Sequence, residues 1–479
     1  MELKKTAFSY LEPLYMESRV FEQTQELRLA EGMPDAEKVL GVWGQPVLRS
    51  KDWRTDTVGF SAGILLWVLY QPEDGSAPRM LDGWVPIQGK WTLPEETQEG
   101  KLLLDLTAAF LDGRTTSPRK IMVRCGLGAC LQALAPTEGA QYAPEELPED
   151  VFVLERTIPL RLNAQAGEKL FQMEESLGEG KALCYTLCWS ITDQKVVGNK
   201  LAFRGNVEVQ ALLEGDTPVS RSFAFPFSQF AELDETFGST AEAEVTMAVT
   251  SAELDGNILK LGLTAQYVIT DMTEIKTIED AYSNQRPVEL TMEESFFPAI
   301  LDKRWESIPC QGTLPEQIPG AVQLSAWMEP VGIQRREEGT RLLARGNAQI
   351  LWEGEDCLCG IQTKLEGERL LTAQGEATDT ACLPGQPQPD LSSRESMACE
   401  MKCRVVTLRR DGIPQATAIE LGEVTAPSPD RPSLILCRAE KKSLWEIAKE
   451  TGSSVEAIQK ANQLEGPPAP GQMLLIPIA

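Results

Sequence analysis

Histidine, the side chain that most often transfers protons at neutral pH, is absent from this chain. Its imidazole is the one side chain whose ordinary pKa lies near neutrality. Ser-His-Asp and Cys-His catalysis, HExxH zinc sites and most neutral proton relays are therefore excluded. An enzyme of this composition would have to use carboxylates, lysine or a cofactor. We expect a protein that is not an enzyme, with no catalytic residue and no cofactor.

Eleven cysteines are the next residues that could do chemistry. The closest pairs are Cys125 and Cys130, Cys184 and Cys188, Cys357 and Cys359, and Cys399 and Cys403. None of these spacings matches a zinc ribbon or a redox motif. A pair two or four residues apart would share one face of a strand, which leaves a metal open as an alternative. The pattern favours buried, reduced thiols, and we predict no metal site.

Two other patterns could suggest catalysis. The segment Gly126-Leu127-Gly128 lacks the third glycine of a dinucleotide loop, and no GxxxxGK[ST] sequence occurs. The acidic pairs Glu95-Glu96 and Glu145-Glu146 lie beside prolines, as expected of solvated loops. A hydrolase that uses two carboxylates stays open as an alternative, because a sequence does not display the distance between them.

The charge balance limits the partners. Lysine and arginine total 45 against 71 acidic residues, giving a net charge of -26. Phosphates and anionic lipids would repel such a chain, so we expect no binding of nucleic acid and favour a basic protein partner.

The first fifteen residues lack the apolar core of a signal peptide. The longest apolar stretch, Ala62 to Tyr70, is shorter than the roughly 20 residues that span a bilayer. We therefore expect no membrane insertion and a protein that stays in the cytoplasm and is not secreted.

A strand, two helices and a second strand are predicted near the C-terminal end. The apolar run Leu434 to Cys437 predicts the first strand, and Ser443 with Glu446 forms a capping box for the first helix. Gly452 is placed to end that helix. Ser453 and Glu456 predict a second capping box, and the segment Gly471 to Pro477 predicts a turn and the closing strand.

These residues resemble the LysM domain family. The resemblance rests on SLWEIA from Ser443, N-x-L from Asn462, and GQ-x-L-x-IP from Gly471. It implies a small βααβ fold over residues 433–479, with a glycan groove between two loops. The chain departs from the family in both loops, at Lys441-Lys442 and at Pro467 to Pro470. These departures favour a protein ligand over a sugar, and peptidoglycan binding is the alternative.

Trp445 is the strongest candidate contact residue in this segment. It lies about 100 degrees around the helix from Leu444, away from the predicted core face. A partly exposed tryptophan is a good interface anchor. The alternative is that Trp445 covers the edge of its own module or packs on the preceding repeat. The predicted partner-binding set is Trp445, Lys441, Lys442, Leu444, Asn462, Gln463 and Leu464.

The rest of the chain repeats itself. Similar ten-residue segments surround Gly63, Gly205 and Gly346, which are 142 and 141 residues apart. Alternating apolar and polar residues predict antiparallel strands within each copy. We therefore predict a mainly β fold of three tandem, antiparallel, sandwich-like repeats (1–145, 146–305 and 306–426), followed by the small βααβ module (433–479).

The second copy resembles the SPOCS domain family of spore-forming Firmicutes. The matching segments are FPFSQF from Phe225, and Tyr267 to Asp271 leading to Asp280 to Ser283. The first and third copies are degenerate. Tandem SPOCS domains followed by LysM are similar to spore coat morphogenetic proteins. That resemblance implies a mother-cell scaffold at the outer forespore surface. Its LysM module would engage a SpoIVA-like morphogenetic ATPase, and its repeats would contact other coat proteins.

Overall fold

The structure is a computed structural model that describes residues 3–97, 99–215, 218–355, 357–371, 379–425, 432–439 and 442–478. For residues 379–386, 388 and 411 it describes the backbone alone. The body is mainly β and ends in a βααβ module, which confirms the predicted fold class. Within these ranges neither helix is long and apolar enough to cross a membrane.

Three successive β units form the body, and each opens and closes with a long strand. The first unit (residues 4–143) contains β1 (Lys4–Arg28), β2 (Ala36–Arg54), β3 (Thr57–Pro72), β4 (Arg79–Thr92), β5 (Lys101–Ser117) and β6 (Lys120–Ala143). The second (151–283) contains β7 (Val151–Ser176), β8 (Ala182–Leu213), β9 (Val219–Phe237), β10 (Glu242–Asp255) and β11 (Ile258–Ser283). The third (288–421) contains β12 (Val288–Thr313), β13 (Gln323–Met328), β14 (Gly332–Arg336), β15 (Gly339–Glu353), β16 (Leu358–Leu371), β17 (Asp379–Asp390) and β18 (Ser396–Leu421).

The long first and last strands of each unit pair antiparallel: β1 with β6, β7 with β11, and β12 with β18. The predicted repeats overlap these units. The predicted boundary after residue 305 lies inside β12, which pairs with β18 along its whole length from Val288 to Thr313. The strand accommodates Pro298 and Pro309 within its pairing.

The units share sheets and core. One six-stranded sheet has the order β10-β11-β7-β1-β6-β5 and therefore combines the first two units. The largest apolar cluster includes Trp43 of the first unit, Tyr185 of the second and Trp327 of the third. The apolar stretch from Ala62 to Tyr70 lies in β3, the middle strand of the sheet β2-β3-β4, and is largely buried on both faces. Its continuous hydrophobicity reflects this central position.

The repeated glycines occupy matching places. Gly63, Gly205 and Gly346 each lie on a strand that pairs with the next long strand, β4, β9 or β16. A Cβ atom on any of the three would overlap a neighbouring ring or carbonyl oxygen. The spacing of about 140 residues therefore reflects one steric requirement that occurs once in each unit.

Buried glutamine side chains link the units through hydrogen bonds with backbone groups of another unit. Gln266 of β11 donates to the Leu104 carbonyl of β5 (2.9 Å) and accepts from the Leu104 amide (3.0 Å). Gln349 of β15 donates to the Leu40 carbonyl of β2 at 3.1 Å. All these side chains are buried. Because a buried amide without partners is destabilising, each bond fixes how two units meet.

Gly360 of β16 gives a test of this unit contact. A Cβ atom there would overlap the Leu40 carbonyl oxygen of the first unit. Backbone on both sides leaves no flexible group to yield, so Gly360→Ala is expected to lower the free energy of unfolding by about 1–3 kcal/mol in urea titrations. Gly320→Ala is the matched control, since no atom lies within 4 Å of its added methyl group. Equal losses in both variants would contradict the close contact.

Candidate functional site: the C-terminal module

The C-terminal module consists of β19 (Leu434–Arg438), α1 (Leu444–Thr451), α2 (Val455–Asn462) and β20 (Met473–Pro477). The strands pair antiparallel, with Leu434 opposite Pro477 and Arg438 opposite Met473. The helices cover one face of this two-stranded sheet. Their shared core contains Ile447, Ala448, Ile458, Leu474 and Ile476.

The first helix has the predicted capping box. The Ser443 hydroxyl accepts from the Glu446 amide at 3.2 Å, and the Glu446 carboxylate accepts from the Ser443 amide at 2.7 Å. Hydrogen bonds from the Ser443 amide and the Ser443 hydroxyl to this carboxylate lower the pKa of Glu446. Gly452 ends the helix in the left-handed conformation (φ 69°), also as predicted.

The predicted second capping box is wrong by one residue. Ser454, not Ser453, caps α2, and its hydroxyl accepts from the Ala457 amide at 3.1 Å. Residue 457 is alanine, so Glu456 cannot complete a box. Ser453 is buried, and its hydroxyl donates to the Pro477 carbonyl at the end of β20.

Trp445 is half-buried against the second β unit rather than free in solvent. Its indole Nε1 donates to Asp280 Oδ2 of β11 at 2.8 Å. Its ring meets the Tyr282 ring edge-on, with centroids 4.8 Å apart. Sequence analysis left open packing on the preceding repeat, and the contact observed is with the repeat before that one.

The other predicted contact residues divide into structural and exposed ones. Asn462 holds α2 to β20, because its amide donates to the Leu475 carbonyl (2.6 Å) and accepts from the Leu475 amide (2.7 Å). Leu444 and Leu464 are partly buried against the module core. Gln463 is exposed and caps α2 at φ 51°. Lys442 is exposed and pairs with Glu450 at 2.6 Å, and Lys441 lies outside the described residues.

Further polar contacts hold the module on β11. Lys449 Nζ lies 2.7 Å from Asp280 Oδ1, and the Tyr282 hydroxyl donates to the Ser453 carbonyl at 2.8 Å. Burial alone would raise the pKa of Asp280, but hydrogen bonds from Lys449 and Trp445 outweigh it and lower the pKa. Asp280 is therefore an ionised anchor for the first helix.

Asp280→Ala is expected to weaken this attachment. The variant loses two charge-assisted bonds to Lys449 and Trp445, which are stronger than neutral ones. We expect protease cleavage of the segment between β18 and β19 to become several-fold faster, while the circular dichroism spectrum stays unchanged. Glu279→Ala is the control, because this neighbour on β11 is exposed. Unchanged cleavage in Asp280→Ala would contradict the anchoring role.

Sequence analysis missed the outer face of the module. Apolar side chains alternate along both strands, and those facing away from the helices are exposed. They are Leu434, Leu436, Met473 and Leu475. The alternation in LILCR carries the signal, since Ile435 and Cys437 point to the core and the leucines between them point outward. An exposed apolar cluster of this kind is typical of a binding surface.

The cysteines offer little reactivity. Six of the ten that the structure describes are buried. Burial raises the pKa of Cys125 to about 11 and of Cys130 to about 12. Such thiols are poor nucleophiles and poor metal ligands at neutral pH. The described part of the chain contains no group of three or more residues arranged to hold a metal ion.

Comparison with known proteins identifies the module. Residues 443–477 match the LysM domain family. No curated protein matches the chain, and no solved structure matches it. The C-terminal module is thus a LysM domain, a family whose presence is compatible with glycan binding or with a role in a protein scaffold.

Proposed function

We propose that this protein is a non-enzymatic, SipL-like scaffold of the spore envelope. Its LysM module docks a SpoIVA-like morphogenetic ATPase at the outer forespore surface, in the mother-cell cytoplasm. The three β units supply reach and surfaces for other coat proteins. The resemblance of the second copy to SPOCS domains and the LysM match at residues 443–477 support this proposal.

The outer sheet face of the LysM module is the observation that carries it. Leu434, Leu436, Met473 and Leu475 form an exposed apolar face on a module whose first helix already contacts β11. Burying such a face against a protein removes apolar surface from water, which favours association. A polysaccharide offers less apolar surface for that purpose. The net charge of -26 favours a partner with basic residues around the apolar contact.

Leu436→Asp tests the docking surface. A charge in the middle of the apolar face is expected to weaken binding of the purified ATPase about tenfold or more in pull-down titrations. Leu170→Asp is the matched control, because Leu170 and Leu436 are both 63% exposed and Leu170 lies on β7 of the second unit. Equal binding by both variants would reject this face as the docking surface.

A fluorescent fusion tests the function in cells. The full chain is expected to form a ring around the forespore during sporulation. Deletion of residues 433–479 is expected to abolish the ring, because docking requires the module. A ring that persists in the deletion strain would assign recruitment to the β units instead, and diffuse fluorescence of the full chain would contradict the forespore location.

Glycan binding is the second candidate, and the LysM family match favours it. Sedimentation with purified peptidoglycan distinguishes the two functions. Under the docking proposal the full chain stays in the supernatant, whereas glycan binding would bring it into the pellet. Cleavage of peptidoglycan by the full chain would contradict the non-enzymatic scaffold and support the carboxylate hydrolase.

A further inference from the structure

A cavity of about 560 Å³ lies where the three β units meet. Residues from nine strands line it, and every unit contributes. The charged and tryptophan residues used below are Asp105 of β5, Trp189 of β8, Glu244 of β10, Lys303 and Trp305 of β12, Trp327 of β13 and Arg404 of β18. Small-molecule sites in proteins have volumes of about 300–1,000 Å³ and favour junctions between domains. Its size and place both fit a binding site.

Buried charges of both signs line this cavity. Asp105 is 7% exposed and Arg404 is 6% exposed. Arg404 forms an ion pair with Glu244, and Lys303 Nζ lies 3.4 Å from the same carboxylate. Two cations therefore share one anion, and the charge of Arg404 also interacts with Asp105. Removing such groups from water is unfavourable unless hydrogen bonds compensate.

Several polar atoms in the wall lack that compensation. Asp105 Oδ2 has no hydrogen-bond donor and Arg404 Nε has no acceptor within the part of the chain that the structure describes. Burial raises the pKa of Asp105 to about 6 despite the charge of Arg404. Burial likewise lowers the pKa of Lys303 to about 8. An occupant that supplies both a donor and an acceptor would satisfy these atoms.

The remaining wall is apolar and aromatic. Trp189 and Trp327 line the cavity, and Met328 and Met401 add flexible apolar surface. Trp305 stands at the rim and is 65% exposed. Aromatic walls with a few converging polar groups are typical of sites for small organic ligands. A purely ionic occupant would leave these walls without a partner.

We propose that the cavity binds a small zwitterion with an apolar body, of the class of a short peptide of two or three apolar residues. Arg404 and Lys303 receive its carboxylate, Asp105 receives its ammonium group, and the tryptophans contact its side chains. Polyanions such as nucleotides do not fit, because Asp105 and Glu244 would repel them. The site is independent of the LysM module and of the docking function.

Titration calorimetry with the full chain tests the proposal, with trileucine as the probe. Free trileucine is expected to bind. Capping its amine by acetylation or its carboxylate by amidation is expected to weaken binding about tenfold or more for each cap, because each removes a charge-assisted bond. Equal binding of the free and doubly capped peptides would reject the zwitterion. No heat at millimolar peptide would show a water-filled ionic cluster and overturn the site.

Two variants locate the binding. Asp105→Asn is expected to weaken binding of free trileucine while leaving N-acetyl-trileucine unchanged, since only the free peptide has an ammonium group for this carboxylate. Trp305→Ala is expected to weaken both peptides, and its exposed position protects the fold. If Asp105→Asn fails to fold, the capped peptides and Trp305→Ala still decide the outcome. Binding that is unchanged in a folded Asp105→Asn and in Trp305→Ala would place the peptide elsewhere and reject this site.

Discussion

Trp43→Ala is expected to lower the free energy of unfolding by about 3–5 kcal/mol, the range for truncating a buried tryptophan. The ring is fully buried, with 0% exposure, in the core that the units share. Its Nε1 donates to the Ser325 hydroxyl of β13 at 3.1 Å, across 282 residues of chain. The substitution leaves a cavity and removes a bond between the first and third units. Urea titration of the full chain, followed by circular dichroism, measures the loss.

Trp305→Ala provides the control for the same substitution. Its ring is 65% exposed, so truncation opens no cavity and should change stability by no more than about 0.5 kcal/mol. A loss as large as that of Trp43→Ala would mean that Trp305 is packed in solution. Conversely, a small loss in Trp43→Ala would mean that the units do not share a core.

Local patterns explain what could be predicted of the fold. Alternation along a strand depends on neighbours two residues away, so it predicted antiparallel strands within each copy, such as the paired β10 and β11. The glycine repeat was detectable because the same overlap excludes a side chain in each unit. Both signals are steric and short in range, and a single sequence contains them.

The joining of the units could not be predicted in this way. Gln349 and Leu40 are 309 residues apart, and nothing in their immediate sequence marks them as partners. Glutamine is usually exposed, so a pattern of apolar residues assigns Gln266 and Gln349 to the surface although both are buried. Pairings of this kind depend on the packed structure, and the sequence therefore suggested separate domains where the core is shared.

Within the C-terminal module, too, local contacts could be predicted and long-range contacts could not. The capping box of α1 involves residues three apart, and it was predicted correctly. Two adjacent serines, Ser453 and Ser454, could each cap α2. Ser453 does not, because its hydroxyl donates to the Pro477 carbonyl, which is 24 residues away along the chain. The position of Trp445 on its helix predicted that this side chain lies away from the core face of the module. It did not predict the contact with Asp280, which is 165 residues away along the chain.

Acidification is expected to stabilise the folded chain through Asp105. Burial raises the pKa of this carboxyl from 3.8 to about 6. Between about pH 4 and pH 6 the folded state therefore binds more protons than the unfolded state, and stability falls as pH rises through this window. At 1.36 kcal/mol per pKa unit, the total from Asp105 is about 3 kcal/mol. Above about pH 6 Asp105 is ionised in the folded state, and the destabilisation caused by its buried charge is fully present.

Asp105→Asn isolates this contribution, because asparagine does not titrate. The stability of the variant minus that of the wild type is expected to be about 3 kcal/mol more positive at pH 7 than at pH 4. Asp280→Asn should show the opposite sign. The lowered pKa of Asp280 gives stability that is present above about pH 4 and lost as pH falls through the folded value. A stability difference for Asp105→Asn that does not vary with pH would mean that solvent reaches this carboxylate and that the cavity wall is open.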